Sequence, residues 1–361
     1  MLTKMIQNLP GSQNEAQFPA LTPRQREVLR VLVQEYVASA TPVASGTLQR
    51  IGDLGVSSAT LRNELALLEE LGYLDQPHTS AGRVPSVRGY RYFVEQLMEQ
   101  RDLPAPERRM IMHQFHQIRL NLDQWMELTA AVLAQVSQVA SLVTPPHANR
   151  AEFKHLELIS THETLCLMIL VLQDGSVHQE MLSVTPELDQ ATLSAASNQL
   201  NALLAGLTAD EMVARPKPEL TTLSEWKRQV LERVVDLMRV AEQRAVNQIY
   251  RDGLVNIFGE PEFQDVARTM QVVEMIERQQ LLQRILQGTL ETNGVQIIIG
   301  GEGSYDELYD VSLVLSPYGI PNRASGVLGV LGPTRMHYGR AISAVRYVAQ
   351  MLNSLVAEVY G

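Results

Sequence analysis

Apolar positions recur at helical spacing in three short stretches near the start of the chain. Residues 22–25 read Thr-Pro-Arg-Gln, which predicts a helix start: threonine can cap, proline fits the first turn and glutamine can complete a capping box. The Thr-Pro pair at 41–42 ends this helix. A second helix is predicted over 45–51, glycine-bearing turn chemistry over 52–55, and a third helix from a serine cap over 57–71.

The third helix divides into an apolar side and a polar side. Its apolar stripe is formed by Leu61, Leu65 and Leu68, which leaves the polar residues near its start facing outward: Ser58, Thr60, Arg62 and Asn63. Arginine can pair with guanine, asparagine with adenine, and hydroxyl groups can hold phosphates or read base edges. The pattern is typical of a helix-turn-helix. A small helical domain with solvated polar residues remains the alternative interpretation.

A β-hairpin is predicted directly behind the third helix. Residues 73–76 and 83–85 have strand character, and residues 77–82 form a polar tip between them. Ser86 then caps another helix. Such a hairpin would act as a wing on the DNA backbone or in the minor groove. The candidate DNA-binding residues of the helix and the hairpin region are Ser57, Ser58, Thr60, Arg62, Asn63, His78, Thr79, Ser80, Arg83 and Arg88.

The distribution of charge changes the first impression that the total gives. The formal net charge is −10, which by itself argues against a nucleic-acid partner. From Leu21 to Arg101, however, nine arginines balance nine acidic residues, so the excess negative charge lies after Arg101. Residues 76–93 contain three arginines and no acid. A local basic surface on an acidic protein is sufficient for phosphate contact.

A heptad-like stripe of apolar residues follows over 107–139. Its members are separated by alternating steps of four and three: Ile111, Phe115, Ile118, Leu122, Trp125, Thr129, Val132, Val136 and Val139. Two interpretations stay open. The helix could pack along a partner, for example across a dimer, or lie on its own domain.

The rest of the chain alternates between strand-like and helical patterns. Strands are predicted over 153–159, 165–172 and 176–182, and again over 295–299, 311–315 and 326–331. The intervening 187–250 and the end of the chain from Tyr338 read as helices. This order predicts an α+β domain with a helical insertion.

Catalytic and metal-binding chemistry finds little support. The chain has one cysteine, Cys166, which reads as a buried small hydrophobe, and no convincing nucleophile–base pair. His113 and His116 lack a third ligand. The segment 300–303 reads as a turn, and 332–336 either caps the last helix or contacts a partner, with the structural role preferred. We therefore predict no enzyme, no cofactor, no metal, no membrane partner and a cytoplasmic location.

Two long motifs make the N-terminal region specific. Residues 56–65 read VSSATLRNEL, and 68–85 continue as LEELGYLDQPHTSAGRVP; both strongly resemble the HrcA family of bacterial heat-inducible transcription repressors. Two shorter segments, PEF at 261–263 and GVLGPTRM at 329–336, also match, so the resemblance covers nearly the whole chain. Small departures occur, such as His337 where relatives commonly carry aspartate.

The resemblance implies a repressor of chaperone operons. Such a protein binds double-stranded DNA at an inverted-repeat operator called CIRCE as a homodimer and depends on a GroEL-type chaperonin for activity. The implied fold class is α+β multidomain, with an N-terminal winged helix-turn-helix and a GAF-like domain that carries an inserted helical dimerisation domain. The alternative is a regulator that senses a small molecule through its GAF-like domain.

The implied domains have the following limits. Residues 1–20 form a flexible tail and 21–103 the winged helix. Residues 104–186 hold the linker helix and the first part of the GAF-like domain, 187–250 the dimerisation domain, and 251–361 the second GAF-like part.

Overall fold

The structure is a computed structural model, and its described residues cover most of the chain. They are 19–52, 54–78, 81–99, 101–117, 122–146, 151–162, 164–173, 175–184, 188–214, 223–245, 248–277, 279–290, 292–303, 305, 308–321 and 324–360.

The chain forms two compact units, and the fold is mixed α and β. The larger unit takes in the chain up to Thr144, then Ile249–Tyr318 and Val327–Ser354. The smaller unit takes in Pro145–Gln248, Gly319–Gly326 and Leu355–Gly361.

Residues 19–98 of the larger unit are called the N-terminal module below. Its elements are α1 (Pro23–Ser39), α2 (Ser45–Ile51), α3 (Ser58–Glu70), β1 (Leu74–Asp75), β2 (Val84–Pro85) and α4 (Val87–Tyr92), which continues as a π-helical turn over Phe93–Leu97. Three helices and a short antiparallel hairpin therefore follow one another as the sequence predicted.

The helix starts in the module follow local side-chain chemistry. The predicted capping box is confirmed, because Gln25 N donates to Thr22 Oγ1 at 3.2 Å and Thr22 N donates to Gln25 Oε1 at 2.9 Å. Ser57 caps α3, and Ser86 caps α4 by accepting from Gly89 N at 3.0 Å. Each cap satisfies an amide that the helix itself leaves free. The local sequence is therefore enough to set these boundaries.

The remainder of the larger unit is built on a five-stranded sheet. The strands lie in the order β7-β3-β10-β9-β8, with bounds Tyr250–Asp252, Ala140–Val143, Ala324–Pro333, Val311–Ile320 and Gln296–Ile298. Its helices are α5 (Ala105–His116), α6 (Leu122–Ser137), α10 (Leu254–Phe258), α11 (Val266–Glu277), α12 (Gln279–Leu290) and α13 (Tyr338–Tyr360), with a 3₁₀ turn at Pro261–Phe263. The sequence prediction missed β3 and extended the preceding helical pattern to Val139; it also assigned Tyr250 to a helix, where β7 begins.

The stripe over 107–139 is divided between α5 and α6. Ile111 and Phe115 are buried on α5, and Trp125, Thr129 and Val132 are buried on α6, whereas Ile118 lies outside the described residues. Thr129 donates its hydroxyl to Trp125 O at 2.6 Å, which satisfies the polar member of the stripe. The burial arises within the single chain, so the interpretation that the helix lies on its own domain is the one that fits.

The smaller unit packs helices on a three-stranded antiparallel sheet. The strands are β4 (Phe153–His162), β5 (Leu165–Leu172) and β6 (Val177–Ser183), and the helices are α7 (Gln190–Leu204), α8 (Ala209–Ala214) and α9 (Glu225–Ala245). Alternate residues of β5, from Cys166 to Leu172, share one core with α7 and α9. Cys166 is fully buried as predicted, and burial raises the pKa of its thiol.

The limits of this unit differ from the predicted domains. We placed strands 153–182 in the first part of the larger α+β domain and began the insertion at 187. In the structure, the second unit begins at Pro145, because β4, β5 and β6 pair only with one another among the described strands. Strand patterning indicates that a segment is a strand but does not indicate which sheet it joins.

Candidate nucleic-acid interface

The exposed side of α3 is the centre of the candidate interface. Leu61, Leu65 and Leu68 are buried against the rest of the module, as the sequence predicted. Arg24 at the start of α1 lies 3.6 Å from Glu64 and links α1 to α3. The helix is thus anchored on one side and presents its other side to solvent.

Arg62 and Asn63 occupy that solvent side in the first half of α3. Both are exposed, and neither has an ion pair or a side-chain hydrogen bond to another residue in the part of the chain that the structure describes. Their five guanidinium and two amide protons are therefore available. These are the two side chains whose donor geometry matches guanine and adenine edges in a major groove.

The hydroxyl groups at the start of α3 are partly committed to the helix itself. Ser57 Oγ accepts from Thr60 N at 3.2 Å and lies 3.0 Å from Thr60 Oγ1. Ser58 Oγ lies 3.2 Å from the hydroxyl of Ser45, at the beginning of α2. Each hydroxyl oxygen has further hydrogen-bonding capacity, so these residues combine a structural role with a surface position.

The hairpin is fixed to the loop between α1 and α2. Val43 N donates to Arg83 O and Arg83 N donates to Val43 O, both at 2.9 Å. A Cβ at Gly82 would collide with the backbone of Val43, so this approach requires glycine. His78 is exposed at the tip, whereas Thr79 and Ser80 lie outside the described residues.

Arg83 lies beside α3, but its guanidinium is already paired. Nη2 of Arg83 lies 2.7 Å from Glu69 Oε2, on the last turns of α3. Glu69 follows Arg62 by seven residues, which places both on the same side of the helix. The predicted phosphate contact of Arg83 would therefore compete with an existing ion pair.

Arg88 has a structural role that the sequence did not reveal. Its Nη1 donates to Leu71 O at 3.2 Å, at the C-terminal end of α3, and its guanidinium carbon lies 5.2 Å from the centre of the Tyr73 ring. A cation is favourable at this end of a helix, where carbonyl groups lack helical partners. The predicted DNA contact of Arg88 would therefore compete with these two contacts.

Arg50 is a further candidate that the sequence analysis did not name. It lies exposed on α2, and the side-chain hydrogen bond that the structure gives it is a long one, 3.4 Å from Nε to Gly46 O. The sequence does contain an indication: Arg50 is the only charged residue between Glu35 and Asp53.

The described residues offer neither a metal site nor a membrane-spanning helix. No three His, Cys, Asp or Glu side chains there converge on a position that could hold a metal ion. Among the described helices, none combines the length and the apolar character needed to cross a bilayer.

An anchored helix that offers unpaired arginine and asparagine side chains, with a hairpin beside it, defines this chain as a candidate nucleic-acid-binding protein. A family model described as "HrcA protein C terminal domain" matches residues 123–342. Three relatives named heat-inducible transcription repressor HrcA come from Roseiflexus sp. (strain RS-1), Herpetosiphon aurantiacus and Dehalococcoides mccartyi (strain 195). They are 47%, 45% and 37% identical, over 94% of this chain and 96–97% of their own length. The chain belongs to the HrcA family.

Solved structures support the fold. A crystal structure of a hypothetical protein, at 2.2 Å resolution, superimposes with a TM-score of 0.53 and 21% identity, and covers 94% of this chain and 98% of its own. At this identity the likeness concerns the fold alone. The curated relatives are named as transcription repressors, a role that involves no catalysis.

Proposed function

We propose that this chain represses heat-inducible genes by binding an inverted-repeat DNA operator as a homodimer, with α3 in the major groove. The observation that carries the proposal is the exposure of Arg62 and Asn63, without partners in the described chain, on a helix whose opposite side is buried. Bidentate contacts of this kind contribute about 1–3 kcal/mol each to base discrimination. The relatives are named heat-inducible transcription repressors, which supports the regulatory role.

The N-terminal module would act as a winged helix-turn-helix. In this reading α2 and α3 form the helix-turn-helix, and the hairpin β1–β2 is the wing. Because Arg83 and Arg88 are bound to Glu69 and Leu71, we assign phosphate contact to Arg50 and to the wing tip around His78. Ser57, Ser58 and Thr60 would hold the backbone at the entry of α3 into the groove.

The smaller unit offers the surface that we propose for dimerisation. The outward residues of β5 are all apolar, namely Leu165, Leu167, Ile169 and Val171. Their neighbours on β6 include Val177, 61% exposed, and Met181, 50% exposed. The free edge of β4 is covered by α7, since Asn201 exchanges hydrogen bonds with Leu156 N and O at 2.7 and 3.0 Å. Face-to-face packing of two such sheets is therefore favoured over pairing through the β4 edge.

The larger unit would provide the GAF-like domain, with its five-stranded sheet at the centre. The alternative function, sensing of a small molecule, would need a site there. A cavity of about 540 Å³ lies between α1 and the start of α13. The three arginines that line this cavity already form ion pairs within the protein: Arg30 with Glu27, Arg101 with Glu99 and Arg340 with Glu107. The cavity does not favour the alternative.

The chaperonin partner and the cytoplasmic location rest on the family resemblance. A GroEL-type chaperonin that keeps the repressor active would connect misfolded protein to transcription. We retain both as part of the proposal.

DNA binding by the full chain tests the proposal. We expect Arg62→Ala/Asn63→Ala to lose at least about 30-fold in affinity for an inverted-repeat promoter fragment, because two base contacts of about 1–3 kcal/mol each disappear from each half-site. The matched control is Arg109→Ala, which removes an exposed arginine of α5. Fluorescence anisotropy measures the affinities, and light scattering of the complex should give two chains per repeat. Equal binding by the double variant and the wild type would refute the assignment of α3.

A further inference from the structure

Arg335 joins the N-terminal module to the rest of the larger unit. It lies between β10 and α13, and its side chain is 11% exposed. Its Nε donates to Glu262 Oε1 at 2.5 Å, and its Nη2 donates to Glu262 Oε2 at 3.2 Å and to Glu260. The two short family motifs, 261–263 and 329–336, therefore meet in one ion-pair cluster.

The third contact of Arg335 reaches α1. Its Nη1 donates to Val37 O at 3.1 Å, in the last turn of that helix. Carbonyl groups at this end have no helical partner and carry a partial negative charge, so a cation stabilises them. Arg335 thus acts as a C-terminal cap for a helix that is almost 300 residues earlier in the chain.

A second cluster holds α4. Arg91 Nε donates to Glu302 Oε1 at 2.5 Å, and its Nη2 donates to Ile297 O at 3.0 Å and to the other oxygen of Glu302. Glu302 stands in the segment 300–303, which forms a turn as predicted. A Cβ at Gly301 would lie 2.9 Å from Val87 Cγ2, and its φ of +86° also favours glycine. The turn is shaped to receive α4.

Both guanidinium groups are held in their charged form. Burial alone would lower the pKa of Arg335, but its hydrogen bonds to Glu262 and the charges of Glu262 and Glu260 outweigh it and raise the pKa. The pKa of Arg91 is raised by Glu302 in the same way, against the effect of burial. Each guanidinium therefore stays charged across the ordinary pH range.

Two buried hydroxyl groups near the two clusters lack hydrogen-bond partners in the described chain. Tyr90 Oη and Thr334 Oγ1 are buried, and neither has a hydrogen-bond partner within the described part of the chain. The Tyr90 and Tyr338 rings pack at a tilt of 51° with centres 6.2 Å apart. An unpaired buried hydroxyl costs free energy, so these two groups oppose the contact that the arginine clusters stabilise.

Contacts with α1 and α4 fix the position of α3. Arg24 links α1 to Glu64, and Ser86 at the start of α4 donates to Gly72 O at 2.7 Å, directly after α3. A dimer that reads two half-sites needs both reading helices at a defined spacing. The clusters that hold α1 and α4 therefore hold α3 as well.

We infer that Arg335 and Arg91 are positioning residues for DNA recognition: they fix the N-terminal module on the remainder of the larger unit, so that α3 meets both half-sites together. The inference rests on the proposed function. It gives the segment 332–336 a structural role, through Arg335, that requires no contact of this segment with DNA or with a partner protein.

The experiment compares two DNA duplexes with the full chain. One duplex carries the inverted repeat, and the other carries one half-site beside a scrambled sequence. Because two linked binding events gain affinity only when the geometry allows both, we expect Arg335→Met and Arg91→Met to lose about 10- to 100-fold on the inverted repeat. Affinity for the single half-site should change by less than about twofold, since the α3 surface is intact.

Two controls accompany these variants. Arg233→Met breaks a similar cluster in the smaller unit, where Arg233 contacts Glu180 and Asp236, and should change neither affinity. Tyr90→Phe removes an unpaired hydroxyl from the contact and should leave the inverted-repeat affinity equal or stronger. If Arg335→Met does not fold, Glu260→Gln and Glu262→Gln weaken the same cluster in two smaller steps.

Three results would overturn the inference. They are an equal loss on both duplexes, no loss on either, or a gain on the inverted repeat, which would mean that the clusters hold α3 away from DNA. Hydrogen exchange without DNA separates this inference from the proposed function. Arg335→Met should speed amide exchange at the end of α1 and around Glu262 together, whether or not the wild type binds the repeat, and unchanged exchange there would also overturn it.

Discussion

Arg62 and Arg335 have the same type of side chain but differ in solvent exposure and in ion pairing. Arg62 is exposed on α3 without a carboxylate partner in the described chain, whereas Arg335 is mostly shielded from solvent and lies between Glu260 and Glu262. An arginine without an internal partner keeps its fork of donors for a ligand. An arginine enclosed by carboxylates and a helix end stabilises the protein itself.

Arg83 and Arg88 lie between these extremes and are the instructive cases. Both lie in the segment 76–93, which contains no acidic residue. The sequence analysis predicted DNA contacts for both residues. In the structure, each finds its acceptor on α3, which precedes them in the chain: Glu69 for Arg83 and the Leu71 carbonyl for Arg88. Local charge composition therefore overestimates the number of cations that a ligand can use.

Among single changes at these arginines and their partners, the largest effect on DNA binding is expected when the donor geometry at Arg62 is altered and its charge is kept. Arg62→Lys should weaken operator binding by about 5- to 150-fold, because lysine cannot reproduce the planar pair of hydrogen bonds to guanine. Binding to unrelated DNA should stay nearly constant, since the charge that phosphates attract is retained. Titrations against operator and scrambled duplexes measure both. A parallel loss on the two duplexes would show that Arg62 contacts the backbone and reads no base.

An intermediate effect is expected from Arg88, in stability instead of specificity. Arg88→Ala should lower the free energy of unfolding by about 1–2 kcal/mol, through the lost hydrogen bond to Leu71 and the lost contact with Tyr73. Urea unfolding measures this change. At temperatures where the variant is folded, its preference for operator over scrambled DNA should equal that of the wild type. A specific loss of operator affinity at unchanged stability would return Arg88 to the DNA interface.

The smallest effect is expected when Arg83 is released from its partner. Glu69→Gln removes the carboxylate that holds the guanidinium and leaves the rest of α3 in place. If Arg83 then turns to a phosphate, affinity for any DNA should rise by about twofold to fivefold, and the slope of log K against log salt should steepen by about one unit per bound subunit. Glu70→Gln is the matched control, because Glu70 is the exposed neighbour of Glu69. A rise of the same size in the control would reflect general charge and not the release of Arg83.

The module was predictable because its signals are local. The capping residues Thr22, Ser57 and Ser86 act within one helical turn, and each bonds as its spacing predicted. The leucine stripe of α3 likewise depends only on helical periodicity and on the burial of apolar surface. The exposure of Arg62 and Asn63 followed from that stripe.

Other features depended on contacts between distant parts of the chain. The role of Arg335 required Val37, Glu260 and Glu262 to come together, and no spacing in the sequence connects them. The limits of the smaller unit required knowledge of which strands pair, since strands over 153–182 could have joined either sheet. The stripe over 107–139 could equally have packed on a partner.

The amino-acid sequence by itself determined where the helices of the N-terminal module begin and which side of α3 faces solvent, because capping and periodicity act over a few residues. Only the tertiary structure decided which arginines are paired within the protein and which, like Arg62, have no partner in the described chain. An ion pair forms wherever folding brings a carboxylate within reach, and that distance is a property of the packed chain.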